Sequence, residues 1–248
     1  MSNPFSLQGK IILITGASSG IGRSIAIECS KSGAKIIITG RNPERLSQTF
    51  TELHGDNHQQ IVADLSVDDG IDALVAQLPI LDGIAHVAGI LNPMPFNFLN
   101  RQELDEIMNV NFYAPALLTN QLIRKKLIAK KASIVFVSSI SGVSCSFIGG
   151  SAYSASKGAI NGLIKGMALD LAAKQIRVNS ILPGMIDTGL FEGSAISEQD
   201  LMADRKRYPL GRYGKPEEVA YAAIYLLSDA TAWMTGSNLL IDGGFTLI

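Results

Sequence analysis

Cysteine is nearly absent from this 248-residue chain: Cys29 and Cys145 are the only two. Two thiols so widely separated make neither a disulfide framework nor a zinc site, and they suit a reducing compartment, so a cytoplasmic protein is expected. Long apolar runs are missing as well. The longest, residues 219–227, falls far short of the roughly 20 residues a membrane helix requires. The opening MSNPFSLQGK holds no apolar stretch of signal-peptide length, so no leader is expected to be removed. Neither sign of charge dominates: 21 Lys plus Arg stand against 22 Asp plus Glu, a formal charge of -1. Nucleic acid and anionic membranes attract clustered positive charge and are poor partners for such a chain. Charged residues make up only 17% and hydrophobic ones 47%, a balance that excludes disorder. No linker, low-complexity tract or short repeat divides the sequence. One domain over 1–248 is expected, since single α/β domains reach ~250 residues.

What the chain does have is a rhythm. Short β-branched runs at 11–15, 35–39, 60–63, 83–87, 133–138, 177–182 and 238–241 alternate with helical patterns at 21–32, 43–53, 70–77, 101–128, 153–173 and 216–227. Several runs are almost continuously apolar, as strands covered on both faces are. Pro43 and Pro216 suit first helical turns, with Glu44, Glu217 and Glu218 at the positive end of the dipole. Strand–helix alternation throughout implies an α/β protein with one parallel sheet and right-handed crossovers. Only 189–214 breaks the pattern, with four glycines and no clean periodicity. A stretch of that length is read as a lid or binding loop, its Leu190, Phe191, Ile196, Leu201 and Met202 needing something apolar to cover.

The first strand runs directly into Thr15-Gly16-Ala17-Ser18-Ser19-Gly20-Ile21-Gly22 and then a helix. Gly16 permits a tight turn, Gly20 lets the backbone approach a pyrophosphate, and Gly22 allows close helix–strand contact; the helix start supplies free N–H groups. The second strand ends in Gly40-Arg41-Asn42, with no carboxylate to meet a ribose 2′-hydroxyl and a guanidinium able to fork onto a 2′-phosphate. NADP is therefore preferred over NAD. Asp64, ending the third strand, either accepts from an adenine amino group or turns the chain into the next helix. Tyr153 and Lys157 stand four residues apart on one helix face, where an ammonium favours the phenolate and suits the phenol to acid/base work. Upstream, Ser138 and Ser139 end the fifth strand at the carboxyl edge, where ligands of open α/β sheets gather.

With these residues in view the chain resembles the short-chain dehydrogenase/reductase family over nearly its whole length, and most nearly its 3-oxoacyl-carrier-protein reductase-like members. TGASSGIG, Ala88-Gly89, Asn109-Val110-Asn111, Ser139 ahead of YSASK, Pro183-Gly184-Met185-Ile186-Asp187-Thr188 and Asp242-Gly243-Gly244 follow in order. The resemblance implies a Rossmann doubly wound sheet of about seven strands in the order 3-2-1-4-5-6-7, helices on both faces, and carbonyl–alcohol interconversion with NADP(H). It implies a tetrad of Asn111, Ser139, Tyr153 and Lys157. Tyr153 exchanges the proton, Ser139 bonds the substrate oxygen, Lys157 holds the nicotinamide ribose, and Asn111 positions a relay water. Gly16, Ser18, Ser19, Gly20, Ile21, Gly22, Arg41, Ala88, Gly89, Pro183 and Gly184 would also bind the cofactor, with Asp64 and Leu65 at the adenine and Ile186 and Thr188 at the carboxamide. Two departures stand out. His86-Val87-Ala88-Gly89 replaces the usual N-N-A-G, removing a polar brace, with His86 read as a structural strand-end residue. Ser139 and Tyr153 are also one residue further apart than expected, which leaves Ser138 and Ser141 as alternative catalytic hydroxyls.

The lid suits an uncharged or lipophilic carbonyl. The run Arg124-Lys125-Lys126, with Lys130 and Lys131, reads either as a solvated helix end or as a dock for an acidic acyl carrier protein. Apolar excess on 101–128 and 153–173 points to a homotetramer or homodimer. The competing reading from another class is a non-catalytic NADP-binding sensor on the same fold.

Overall fold

The structure, a computed structural model, describes residues 3–189 and 198–248. Its strands are β1 (Ile11–Thr15), β2 (Lys35–Gly40), β3 (Gln59–Val62), β4 (Leu81–His86), β5 (Ile128–Val137), β6 (Arg177–Pro183) and β7 (Asn238–Ile241). Its helices are α1 (Gly20–Lys31), α2 (Pro43–Thr51), α3 (Asp68–Val75), α4 (Arg101–Met108), α5 (Ala114–Arg124), α6 (Ser151–Leu171), α7 (Glu198–Arg205) and α8 (Pro216–Leu227). The strands form one sheet in the expected order, β3-β2-β1-β4-β5-β6-β7, with every neighbouring pair parallel.

The period of two along each strand explains the near-continuous apolar runs. Leu13, Ile37, Ile84 and Ile134 enter one core layer beneath α3, α5 and α6. Their neighbours Ile12, Ile14, Ile36, Ile38 and Val135 enter the other, beneath α1, α2 and α8. Each such side chain, taken fully out of water, contributes about 1.5–3 kcal/mol. Helix starts follow their local signals. Asn42 caps α2 by accepting from the Arg45 N–H at 2.7 Å, and Glu218 reaches back to the Lys215 N–H at 2.7 Å at the start of α8. Among the described residues no helix is long and apolar enough to cross a membrane.

Two expectations need correction. Residues 101–128 are not one helix: a π-helical turn, Asn109–Tyr113, separates α4 from α5. The chain then reverses through Lys126, at φ 58, and Ile128 already pairs with Leu81 in the sheet. Apolar residues such as Leu127 and Ile128 satisfy a helix or a strand equally well by pattern, and the Leu81 N–H to Leu127 carbonyl bond of 2.8 Å decides the matter. Arg124 to Lys131 therefore straddle the end of α5 and the first residues of β5, at the end of that strand remote from Ser139. The aperiodic stretch 189–214 contains α7, with Leu201 half-buried and Met202 mostly exposed. Leu190, Phe191 and Ile196 lie outside the described residues.

Candidate active site

Parallel strands present their carboxyl ends along one edge, and there the structure opens a continuous groove of about 920 Å³. That is the size of a cofactor-plus-substrate site. Its first wall is the turn after β1. Gly16 has φ +66, and a Cβ there would stand 2.7 Å from the Ala88 backbone; a Cβ on Gly22 would stand 2.2 Å from the Gly16 carbonyl oxygen. The two glycines are thus required by close approach, not by flexibility. Ser19 precedes α1 without spending its side chain on a cap, so the helix start faces the groove with N–H groups to offer an anion. A Cβ on Gly20 would come 3.3 Å from the Thr188 side chain, which places the Pro183–Thr188 loop across the same turn.

Every nucleotide-side residue expected from the sequence lines this groove: Gly16, Ser18, Ser19, Gly20, Ile21, Gly22, Arg41, Asp64, Leu65, Ala88, Gly89, Pro183, Gly184, Ile186 and Thr188. Ser18 reaches the end of β2, its Oγ 3.1 Å from where a Gly40 Cβ would sit, beside Arg41. Arg45 and Asn42 join them; the sequence reading missed both as liners. Asp64 accepts from the Ser66 hydroxyl at 2.7 Å and the Ser66 N–H at 2.9 Å through one oxygen. Those bonds, with the Arg41 charge, hold its carboxyl below the usual range. It turns the chain and lines the groove at once.

Ser139, Tyr153 and Lys157 also meet in the groove. Of the three candidate hydroxyls, Ser138 is committed elsewhere: its Oγ donates to the Lys157 carbonyl at 3.2 Å and accepts from Asn161 Nδ2 at 3.0 Å. Ser141 gives its N–H to Ser139 Oγ at 3.0 Å, and its backbone bridges to Cys145. Ser139 is the one of the three whose hydroxyl favours the Tyr153 phenolate. The extra residue between Ser139 and Tyr153 is absorbed in the intervening loop.

The Tyr153 environment differs from expectation. Burial dominates and pushes the phenol up from its ordinary value, with the Ser139 hydroxyl acting the other way. The Lys157 ammonium, 5.7 Å from the ring centroid, is turned toward the Val137 carbonyl, to which it donates at 2.9 Å. Burial draws Lys157 itself down from 10.5 to about 8. Between those values the unfolded chain holds a proton that the folded one does not, so this lysine makes stability rise with pH from about 8 to about 10.5. In cofactor-free protein, denaturant unfolding of wild type and Lys157→Met should therefore diverge in favour of wild type between about pH 7 and about pH 10. A difference independent of pH across that interval would mean the ammonium is not desolvated.

Asn111 is not a lining residue. Buried in the π-helical turn, it accepts from the Ile90 N–H at 2.8 Å and donates to the Ile90 carbonyl and Ser156 Oγ, each at 3.0 Å. Ser156 continues to the Tyr153 carbonyl at 2.7 Å. Asn111 thus clamps the loop after β4 to the helix that carries Tyr153. The polar brace missing at Val87 is supplied by β1 instead: the Thr15 hydroxyl accepts from the Val87 and Ala88 N–H groups at 3.1 and 3.2 Å. His86 is structural, as expected. It stacks on Phe136 and bonds Thr119 Oγ1 at 2.8 Å. Because that hydroxyl donates to Pro115, His86 Nε2 carries the proton, and burial holds the ring neutral, down to about 3.

Comparison with known proteins agrees with this geometry. A family model described as enoyl-(acyl carrier protein) reductase matches residues 16–246. A 3-oxoacyl-[acyl-carrier-protein] reductase of Rickettsia prowazekii is 34% identical over 98% of this chain and 99% of its own. Gluconate 5-dehydrogenase of Gluconobacter oxydans is 32% identical over 100% and 99%. Among solved structures, a Pseudomonas aeruginosa RhlG/NADP active-site complex superimposes with a TM-score of 0.90 at 34% identity, covering 99% of this chain and all of that one. Matches of this extent, to a family model over residues 16–246 and to a relative 34% identical along nearly the whole chain, make this chain an oxidoreductase of the short-chain dehydrogenase/reductase family.

Proposed function

We propose that the protein interconverts a carbonyl and a secondary alcohol with NADP(H), using Tyr153 as general acid in reduction and general base in oxidation. The observation that carries this reading is that Ser139, Tyr153 and Lys157 line the same groove as the Gly16–Gly22 turn. The chain fits such a cofactor at both ends. The bare backbone at Gly16 and Gly22 fits a pyrophosphate at the start of α1. Arg41, Arg45 and Ser18 fit a 2′-phosphate where a carboxylate would repel it. When bound, the dinucleotide supplies or accepts the hydride.

The chain's own groups do the rest. Ser139 holds the substrate oxygen, and Tyr153 passes its proton to that oxygen in reduction or takes it away in oxidation. Lys157 stands ready to hold the nicotinamide ribose, and Asn111 keeps the Ile90 loop and the Tyr153 helix in register. Residues 189–214 would act as a lid that excludes water from the reacting atoms.

Arg41→Ala is expected to lower the NADPH-over-NADH preference in kcat/KM by about 10- to 100-fold, the worth of one charge-assisted contact. An unchanged preference would return the cofactor to NAD or to no choice between the two. Relatives named as 3-oxoacyl-[acyl-carrier-protein] reductases support 3-oxoacyl thioesters within the same reaction class. Loss of NADPH absorbance with an acetoacetyl thioester is the direct assay, and a flat trace sinks the acyl role alone. A cytoplasmic homotetramer or homodimer fits Tyr113, Leu117 and Leu169, exposed on the π-helical turn, α5 and α6; light scattering gives the state directly.

A further inference from the structure

The lysine of the groove is gripped at both ends by consecutive residues at the end of β5. Lys157 Nζ donates to the Val137 carbonyl at 2.9 Å, while its own carbonyl accepts from the Ser138 hydroxyl at 3.2 Å. Asn161, one turn further along α6, closes this grip. Its Nδ2 donates to the Lys157 carbonyl at 2.7 Å and to Ser138 Oγ at 3.0 Å, so both amide protons are used. On the other side of the amide, the Ser180 hydroxyl of β6 lies 3.2 Å from Oδ1 and shares its proton with Asn238 Oδ1 on β7, at 2.8 Å. Asn161, Ser138, Ser180 and Lys157 are all buried. One side chain therefore ties the helix to two strands. Asparagine is a poor residue for a helix interior. Flanked along α6 by the buried Ile160 and Ile164, an amide gains nothing over leucine unless its bonds matter.

We propose that Asn161 is a positioning residue, which anchors the backbone of Lys157 to the end of β5 so that the ammonium is delivered to the nicotinamide ribose. This deepens the oxidoreductase reading and rests on it. A flexible four-carbon stem brings its charge to one place only when its root is fixed. When Nζ leaves the Val137 carbonyl for a ribose hydroxyl, the polar bonds at the carbonyl end are the ones that still tie this turn of α6 to β5. Tyr153, one turn earlier on the same helix, is held in register by the same anchor. Removing the amide strands no buried group. Ser138 still donates to the Lys157 carbonyl, and Ser180 still bonds Asn238. Asn161→Leu, similar in size, should therefore fold.

Fluorescence titration of NADPH into wild type, Asn161→Leu, Lys157→Met and the double variant tests this. The glycine turn and Arg41 keep their places in the Lys157→Met background, so affinity there stays measurable. Asn161→Leu should raise the NADPH Kd by about tenfold in the wild-type background. Once Lys157 is Met the same change should cost less than about twofold, because the anchor has no ammonium left to deliver. A purely structural role lowers the folded fraction, which scales the amplitude of the titration and leaves the Kd where it was. Equal weakening in both backgrounds, or none in either, overturns the proposal. Should Asn161→Leu fail to fold, Ser138→Ala cuts the same link from the strand side. Its loss of NADPH affinity must then show the same dependence on Lys157, and a loss indifferent to Lys157 overturns the proposal equally. Binding is read here without turnover. A wild type that binds NADPH yet reduces no ketone would sink the oxidoreductase reading, while a Kd effect that depends on Lys157 would leave the anchor standing.

Discussion

Tyr153→Phe should lower kcat by about 10²- to 10⁴-fold, the range for removing a positioned acid/base, while cofactor affinity stays within about twofold. The ring remains to pack against Phe147, and only the hydroxyl is lost. Because burial holds the phenol protonated, the free protein presents an acid, the state required for reduction. The measurement is steady-state turnover alongside fluorescence titration of NADPH. Loss of both turnover and cofactor binding would mean that the phenol serves the nucleotide pocket and not the chemistry. Unaltered turnover would mean that another group exchanges the proton, and cofactor binding without any turnover in the wild type would favour the non-catalytic sensor.

The second large effect belongs to a residue with no functional group. Gly142 follows the Ser138–Ser141 turn at φ +85, and a Cβ there would lie 2.1 Å from the Ser154 carbonyl oxygen and 2.8 Å from the Gly158 nitrogen. The serine turn is thereby pressed against α6 between Tyr153 and Lys157. Gly142→Ala must strain the backbone and push the two elements apart, which costs about 2–5 kcal/mol when left-handed strain and overpacking are combined. Separation also moves Ser139 away from Tyr153 across the groove they line, so kcat should fall by about tenfold or more even in the fraction that stays folded. Gly162, one turn beyond Lys157 on the same helix, has nothing within 4 Å of its would-be Cβ. Gly162→Ala should be neutral or stabilising by up to about 1 kcal/mol. Urea unfolding of the pair, with kcat on each, separates a close approach from a generic glycine effect. Equal midpoints would remove the packing argument.

The glycine turn, the Tyr153–Lys157 pair and the single parallel sheet were readable because each rests on local pattern: glycines at a strand–helix junction, four-residue spacing on a helix, apolar runs for a sheet buried on both faces; the strand order came with the family resemblance. What escaped notice depends on contacts between distant segments. Nothing near Thr15 in the chain announces that its hydroxyl will hold Val87 and Ala88. Asn111 was noticed, but its bonds to Ile90 and Ser156 come from residues 21 and 45 positions away. The π-helical turn that buries it interrupts a stretch whose apolar spacing reads as uninterrupted helix. Phe147, Tyr208 and Phe245 meet the groove from three regions that share no motif. The partners that distinguish Ser138 from Ser139, chiefly the Lys157 carbonyl and Asn161, likewise come from distant parts of the chain.

The meeting of Gly16 with Ala88 bears on how the protein comes into being. Ribosomes release the first strand and its glycines well before the fourth strand exists, and β4 is the neighbour that completes the floor beneath them. A nascent chain ending after β3 would display the whole phosphate motif and still have nowhere to seat a dinucleotide. Vitamin-derived cofactor can therefore act as a folding ligand only late in synthesis, once both sides of the central strand are paired.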